Sequence, residues 1–359
     1  MPPRIVHLLG GLRGADSRAG KAIIQLSPDQ RLAEFPTSTY AELYAQLRSL
    51  RLEVLGVEFL TYDSMRDELA PDWQCASPSG GFKIREQRIW WDGARHVAAN
   101  EHLSDVASLA ARISSYLALL NIRVLQLSEA YNRTLCGWSR SDPKGENLFF
   151  DNSFRPYIDA AIHAFVADAA SFRDLLAEAT WKLVLNEKGS VRKLAKFLVR
   201  AKSSDHPLAK AIIDAGQSHG WLWTFAELRN HITHVAPVGH ASAFQFCQLR
   251  TIGIGKIRVH PLHYPVLDES GSVQEFPESD RVDSRAQSKA LWKRYERFCN
   301  TSQDALHYCW TTLGKLVDLL GQIGSASGLP SETPTLTEAD LLGKPRLRVG
   351  DITRVHGAG

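Results

Sequence analysis

The residues of this 359-residue chain best suited to chemistry lie in one stretch, Trp221 to Pro237, which reads WLWTFAELRNHITHVAP. Within it an Arg and a His stand with four residues between them, and an Asn directly follows the Arg: Arg229-Asn230-His231-Ile232-Thr233-His234. An imidazole such as that of His234 takes or gives a proton near neutral pH. A guanidinium such as that of Arg229 holds two phosphate oxygens in its planar fork and stays charged while negative charge builds up. Asn230, one helical turn before His234, can orient the imidazole or bind a phosphate oxygen. At about 100° per residue, Trp221, Phe225, Leu228, Ile232 and Val235 cluster on a side that must face a core. Trp223, Glu227, Asn230 and His234 fall on the opposite side, and Arg229 and His231 flank the core direction by about a quarter turn each. His231 reads as a flanking residue, and Glu227 as either a solvated charge or a partner of His234. A Trp among polar residues on an outer face suggests a covering partner chain or ligand, and Trp223 reads as a dimer contact.

Arg229, Asn230 and His234 together resemble the R-N-x-x-x-H signature, a form of R-x4-6-H, of the HEPN superfamily. Its members are all-helical domains, many of them metal-independent endoribonucleases found among toxins, phage-defence proteins and RNA-guided RNases. The resemblance covers the motif and, more loosely, a helical bundle over residues 99–325. It implies a symmetric homodimer whose two motifs meet in one cleft and cut RNA there. Arg229, Asn230 and His234 would be catalytic, with Glu227 and His231 in support and with no cofactor. The nucleophile would be the substrate's own 2′-hydroxyl, and two protomers would supply two histidines for the base and acid roles. The resemblance also implies a toxin or anti-phage defence effector, with an antitoxin or other regulatory partner. One departure is plain: Ala236 stands where toxin members paired with nucleotidyltransferase antitoxins carry a Tyr, so regulation by modification of that Tyr is not expected. The alternative reading is a non-catalytic HEPN-like module that binds RNA, a nucleotide or a protein.

Just upstream, residues 182–210 hold eight cations (Lys182, Lys188, Arg192, Lys193, Lys196, Arg200, Lys202, Lys210) against two acids, Glu187 and Asp205. Arg192, Lys193, Lys196 and Arg200 fall on one side of a predicted short helix, where they either form a solvated face or track an RNA backbone. Overall charge does not decide between these, because 42 Lys and Arg against 39 Asp and Glu leave only +3. His231, His234, His240, His260 and His263 crowd one region, yet neither HExxH nor a Cys pair accompanies them, so no metal site is expected. Gly253-Ile254-Gly255-Lys256 lacks the length and the Ser/Thr of a phosphate loop and reads as a turn.

Long helices must position this motif, and the predicted fold class is mainly α: a HEPN-like antiparallel helical bundle with an N-terminal α/β extension and a short β insertion. Leu103, Val106, Ala110, Ile113, Leu117, Leu120, Val124, Leu127 and Tyr131 follow an unbroken 3-4 rhythm. After a break at Ser141-Asp142-Pro143-Lys144-Gly145, Ile158, Ile162, Phe165, Ala169, Phe172, Leu176, Ala179 and Leu183 repeat it. Stripes this narrow pack helix on helix. A short helix over 190–202 turns Val191, Leu194, Ala195, Leu198 and Val199 inward. Pro207 opens a further helical stretch, interrupted near Gly216 and Gly220 and resuming at Trp221, and one last long helix runs from Ser284 to Ile323. Residues 1–98 form the mixed extension: a helix at TYAELYAQLRSLRL, a strand at LEVLGVEFLTY, and another strand at FKIREQRIWW ending in an Asp92-Gly93 turn. Residues 240–276 form the β insertion within the 99–325 domain, and 326–359 a weakly ordered tail. Five scattered cysteines without CxxC spacing argue for a reducing compartment, and no apolar run reaches the length of about 18 residues that spans a membrane. The expected setting is cytoplasmic, with no membrane partner.

Overall fold

The computed structural model describes residues 4–17, 21–27, 30–37, 39–50, 52–60, 70–139, 148–234, 246–254, 257–268, 270–272 and 285–330. Expectations resting on Val235, Ala236, Pro237, His240, Gly255, Lys256, the break at 141–145 and residues 331–359 lie outside the described residues. The chain is mainly helical. Its helices are α1 (Tyr40–Ser49), α2 (Lys83–Asn100), α3 (Ser104–Ser139), α4 (Arg155–Ala179), α5 (Leu194–Arg200), α6 (Pro207–Gly216), α7 (Trp221–His234), α8 (Arg285–Thr301) and α9 (Ala305–Ala326). The strands β1 (Arg4–Leu8), β2 (Arg13–Ser17), β3 (Lys21–Ser27), β4 (Gln30–Pro36), β5 (Val54–Phe59) and β6 (Asp72–Cys75) make one antiparallel sheet in the order β4-β3-β2-β1-β5-β6.

The stripe read from the sequence is the spine of the bundle. Ile113, Leu117, Leu120, Val124, Leu127 and Tyr131 of α3 are fully buried, as are Ile158, Ile162, Phe165, Ala169 and Phe172 of α4. Two ion pairs set the antiparallel register of these helices: Arg112 grips Glu178 with two hydrogen bonds of 3.0 and 3.1 Å, and Arg123 reaches Asp168 at 2.6 Å. Leu313, Leu316 and Leu320 of α9 pack into the same core, and a single π-helical turn, Thr180–Val184, extends α4. Leu103 precedes α3 and is 46% exposed, so the buried stripe starts later than its sequence rhythm suggests.

Three predicted elements take a different form. The stretch FKIREQRIWW is not a strand, and Asp92-Gly93 is not a turn; all but Phe82, which precedes the helix, lies inside α2. Its buried residues are Ile84, Trp91, Gly93, Ala94 and Ala98, and the side chains among them (Ile84, Trp91, Ala94, Ala98) are spaced 7, 3 and 4 apart as a helix requires. Packing against α3 overrides the strand preference of the β-branched and aromatic residues. The predicted helix over 190–202 begins only at Leu194, whose N–H is held by the Asp174 carboxylate at 3.0 Å. Its inner residues are therefore Leu194 and Phe197, with Val191 buried just before it, while Ala195 is exposed, Leu198 is half-buried and Val199 is 76% exposed. The helix predicted from Ser284 to Ile323 is two helices. Between α8 and α9, Gln303 and Asp304 form a short strand, β13, that pairs with β12 (Pro265–Leu267). Asp304 ends the interruption: it caps α9 through the His307 N–H at 3.0 Å and accepts hydrogen bonds from the Tyr131 hydroxyl and the Tyr264 N–H at 2.9 Å each.

The β insertion carries β8 (Cys247–Leu249), β9 (Ile252–Ile254), β10 (Ile257–Val259), β11 (Leu262–His263) and β12. Strand β8 lies between β11 and β7 (Phe149–Phe150).

A row of polar side chains along α3 holds the N-terminal sheet. The Asn121 amide accepts from the Cys75 N–H at 3.0 Å and donates to the Trp73 carbonyl at 3.2 Å, while the Trp73 indole donates to the Asn121 carbonyl at 2.8 Å. Asn132 donates to the carbonyls of Gly11 and Leu26, both at 2.8 Å. Between them Ser128 is fully buried, 3.0 Å from His7 Nδ1 and 3.2 Å from the Arg13 guanidinium. The other nitrogen of His7 is hydrogen-bonded to Glu58. The turn after β1 touches α3 closely at Gly11 and the β insertion at Gly10, both at positive φ. A Cβ on Gly11 would lie 2.8 Å from the Tyr131 carbonyl carbon, and one on Gly10 would lie 2.3 Å from Pro261 Cβ.

Two outcomes follow from this packing. Gly11→Ala, at φ +81° against backbone, should cost about 1–3 kcal/mol more in urea unfolding than Gly80→Ala, at φ +94° in open space. Equal costs would show that the helix and turn can part. Burial and the nearby Arg13 push His7 down to about 4, and burial with Arg250 pushes His263 down to about 3. Both histidines fold neutral and protonate readily only when unfolded. Their contribution is therefore complete above pH 6.5 and is lost as pH falls towards 4, at up to about 1.4 kcal/mol per pH unit each. Urea midpoints measured between pH 7 and 4.5 should fall accordingly, and a flat profile would contradict it.

Candidate functional site

Helix α7 forms because one side of it meets the bundle: Leu222, Phe225, Leu228 and Ile232 are its buried residues. Leu222 takes the inward place expected of Trp221, which is half-buried beneath the Lys315 ammonium, 5.8 Å from its ring. Trp223 is half-buried rather than presented on an open face, with its ring 5.7 Å from that of His219. Phe225 also lies 6.0 Å from the Arg173 guanidinium of α4, which ties the two helices together.

The motif occupies the last turns of α7. Asn230 and His234, one turn apart, are exposed, and so is Glu227. His231 is half-buried. Arg229 is half-buried as well, and its guanidinium donates to the Asn230 side-chain oxygen at 3.3 Å. The Thr233 hydroxyl donates back to the Arg229 carbonyl at 2.8 Å, an internal bond of the helix end.

Arg229 also lines a groove of about 770 Å³ between α4, α5 and α7. Small residues of α4 and α5 (Ala164, Ala167, Ala170, Ala195) let the helices leave this space, and His163, Arg173, Lys193 and Arg229 supply basic groups around it. The carboxylate among the lining side chains is that of Asp174, which already accepts from Arg173 at 2.9 Å and from the Leu194 N–H. The remaining balance is positive, which suits an anion. The structure thus places Arg229 with Lys193 on one groove. It sets Asn230, His234 and Glu227 on the neighbouring exposed side. Arg192, Lys196 and Arg200 are exposed on and before α5 and do not line the groove.

Two residues without a signal in the apolar pattern, His163 and Arg173, join this surface, whereas no residue of α8 lines it. His163 and Arg173 lie on α4, beside its buried stripe rather than in it, so only their offset from that stripe could have marked them. On α8, Lys289, Lys293 and Arg297 recur every fourth residue and are exposed. That spacing makes a ridge along one side of a helix, legible in the sequence once the cations, and not only the apolar residues, are followed.

Of the histidines that crowd the sequence, the described ones lie apart, His231 and His234 on α7 and His260 and His263 in the β insertion. His260 packs 6.0 Å from Trp138, and His263 is buried 3.1 Å from the Arg250 guanidinium and 3.0 Å from the Ser302 hydroxyl. Among the described residues, no three His, Cys, Asp or Glu side chains converge in a way that could hold a metal ion. Ser128, His7 and Glu58 line up in the order of a hydrolytic relay, but Ser128 and His7 are sealed from solvent and Arg13 shares the hydroxyl, so the trio serves the fold. Among the described residues no helix is long and apolar enough to cross a membrane. Compared with known proteins, the chain matches no family model, no curated protein and no solved structure.

Proposed function

We propose that this chain is a metal-independent endoribonuclease of the HEPN type that works as a homodimer, in a toxin or anti-phage defence role. The observation that carries this reading is the end of α7: an exposed Asn230 and His234 one turn apart, next to an Arg229 that opens onto a basic groove. The chemistry is a transesterification within the RNA. The 2′-hydroxyl loses its proton to one imidazole as the 2′-oxygen bonds to phosphorus. The bond from phosphorus to the 5′-oxygen breaks, and that oxygen takes a proton from a second imidazole, supplied by the other copy of the chain. Arg229 balances the charge on the crowded phosphate, and Asn230 holds the imidazole or a phosphate oxygen. The products are a 2′,3′-cyclic phosphate and a free 5′-hydroxyl.

One observation favours a second reading, RNA binding without cleavage. Arg229 lines the groove, whereas Asn230 and His234 do not.

RNA incubated with the protein in excess EDTA separates these readings. Cleavage leaving cyclic-phosphate ends supports the nuclease, binding without cleavage supports the second reading, and activity restored only by added metal overturns both. His234→Ala should lower the cleavage rate by about 10²–10⁴-fold. Its melting temperature should not change, because the side chain is exposed. Cleavage undiminished in that variant removes His234 from the mechanism. Changing Arg192, Lys196 and Arg200 together to Gln should weaken RNA binding and flatten its logarithmic salt dependence by about 0.7 for each phosphate no longer neutralised. An unchanged slope makes these side chains a solvated face only.

A further inference from the structure

A second cavity, of about 470 Å³, lies where the N-terminal sheet meets the helical body, and the α7 chemistry makes no use of it. Three parts of the chain enclose it: α1 with the entry to β5, the loop Ala76–Phe82 between β6 and α2, and Trp310 of α9. Its size falls within the range of about 300–1,000 Å³ usual for small-molecule sites, and its place at a junction of substructures is where such sites concentrate.

The lining combines buried apolar side chains, the hydroxyls of Ser77 and Ser79, which bond to each other at 2.9 Å, and a charged rim. Leu52, Val57 and Trp310 are buried, and Tyr44 and Phe82 are half-buried. The Trp310 indole donates to the Ala76 carbonyl at 2.6 Å, which fixes its ring as a wall. On the rim stand two exposed groups of opposite sign, Arg48 and Glu53. They are not paired with each other; Arg48 has no ion-pair partner among the described residues, and Glu53 stands 3.6 Å from His307. At the lip, a Cβ on Gly80 would meet nothing within 4 Å, so the mouth is open there.

Aromatic side chains lining a cavity that also carries one guanidinium and one carboxylate match a molecule with an aromatic ring, one anionic group and one cationic group. We propose that this cavity binds a free aromatic amino acid. The ring lies among Tyr44, Phe82 and Trp310, the carboxylate is held by the Arg48 fork, and the ammonium faces Glu53. The ring buries apolar surface, and the two ionic contacts select for the zwitterion over ring compounds that carry a single charge. Because the cavity is built from both the sheet and the helical body, a bound amino acid also holds these parts together and raises the melting temperature by mass action.

The test is calorimetric titration of the full chain with L-phenylalanine, L-tyrosine and L-tryptophan. At least one should bind saturably with Kd of about 1 mM or tighter. L-alanine should not bind, and 3-phenylpropionate or phenethylamine, each lacking one of the charges, should bind at least about tenfold more weakly. Arg48→Ala and Glu53→Gln should each weaken binding by about tenfold or more; both side chains are exposed, so the variants keep the core. The His234→Ala variant should bind as the original chain does, which keeps this test independent of the nuclease reading. The proposal fails if none of the three amino acids binds saturably, if alanine binds equally well, or if the affinity survives both rim substitutions.

Discussion

The whole architecture hangs on α3 serving two neighbours at once. A helix of 36 residues is about 54 Å long, enough to carry an apolar seam for the bundle and a separate polar row for the sheet. The apolar seam meets α4 and α9 chiefly by burial, with the Tyr131 hydroxyl bonded to Asp304 at its end, whereas Asn121, Ser128 and Asn132 meet the sheet through hydrogen bonds to backbone and side chains. A buried hydrogen-bonding group left without its partner costs about 1–3 kcal/mol, so these bonds fix the sheet in one position and one register. The double-glycine turn completes that fit, since a side chain on Gly11 would push the sheet off the helix and one on Gly10 would push it off Pro261 of the β insertion.

From this frame the position of α7 follows in two steps. Helix α4 is aligned on α3 by the pairs Arg112–Glu178 and Arg123–Asp168, and its side away from the spine then receives Phe225 and Ile232. The alanines on that side keep α4 slim, so the approach of α7 leaves a trough instead of a sealed interface. Arg229 reaches the trough because it lies about a quarter turn from the inward direction, while Asn230, the next residue, has already turned outward. One helix end thus shows a cation on one side and an amide and imidazole on the next.

Local rhythm is enough to read the long helices, and tertiary packing decides what cannot be read. The 3-4 spacing of α3 and α4 recovers their buried residues because helix period and core direction coincide there over many turns. Helix α2 looks like a strand in sequence because Ile89, Trp90 and Trp91 resemble one locally; what makes it a helix, Trp91 and Ala98 turned onto α3, involves a partner element outside that stretch. The interruption before α9 is invisible in sequence because apolar positions continue across it at Phe298 and Ala305 in helical phase. What breaks the helix is Asp304 meeting Tyr131 and Tyr264, residues far away along the chain. In the candidate site, Arg229, Asn230 and His234 are close together in sequence and so can be read directly. Arg173 and His163 come from a helix whose relation to α7 is set only by packing.

Asp304 gathers into one place a hydroxyl from the spine, an amide from the β insertion and the first turn of the last helix. These three elements are therefore bound to loosen together, as one cooperative unit. The end of α7 has no such brace among the described residues; beyond Ile232 its bonds are those of its own helix. Rearrangement there can occur while the rest of the molecule stays folded, which lets a binding event at that end reshape it without drawing on the stability of the core.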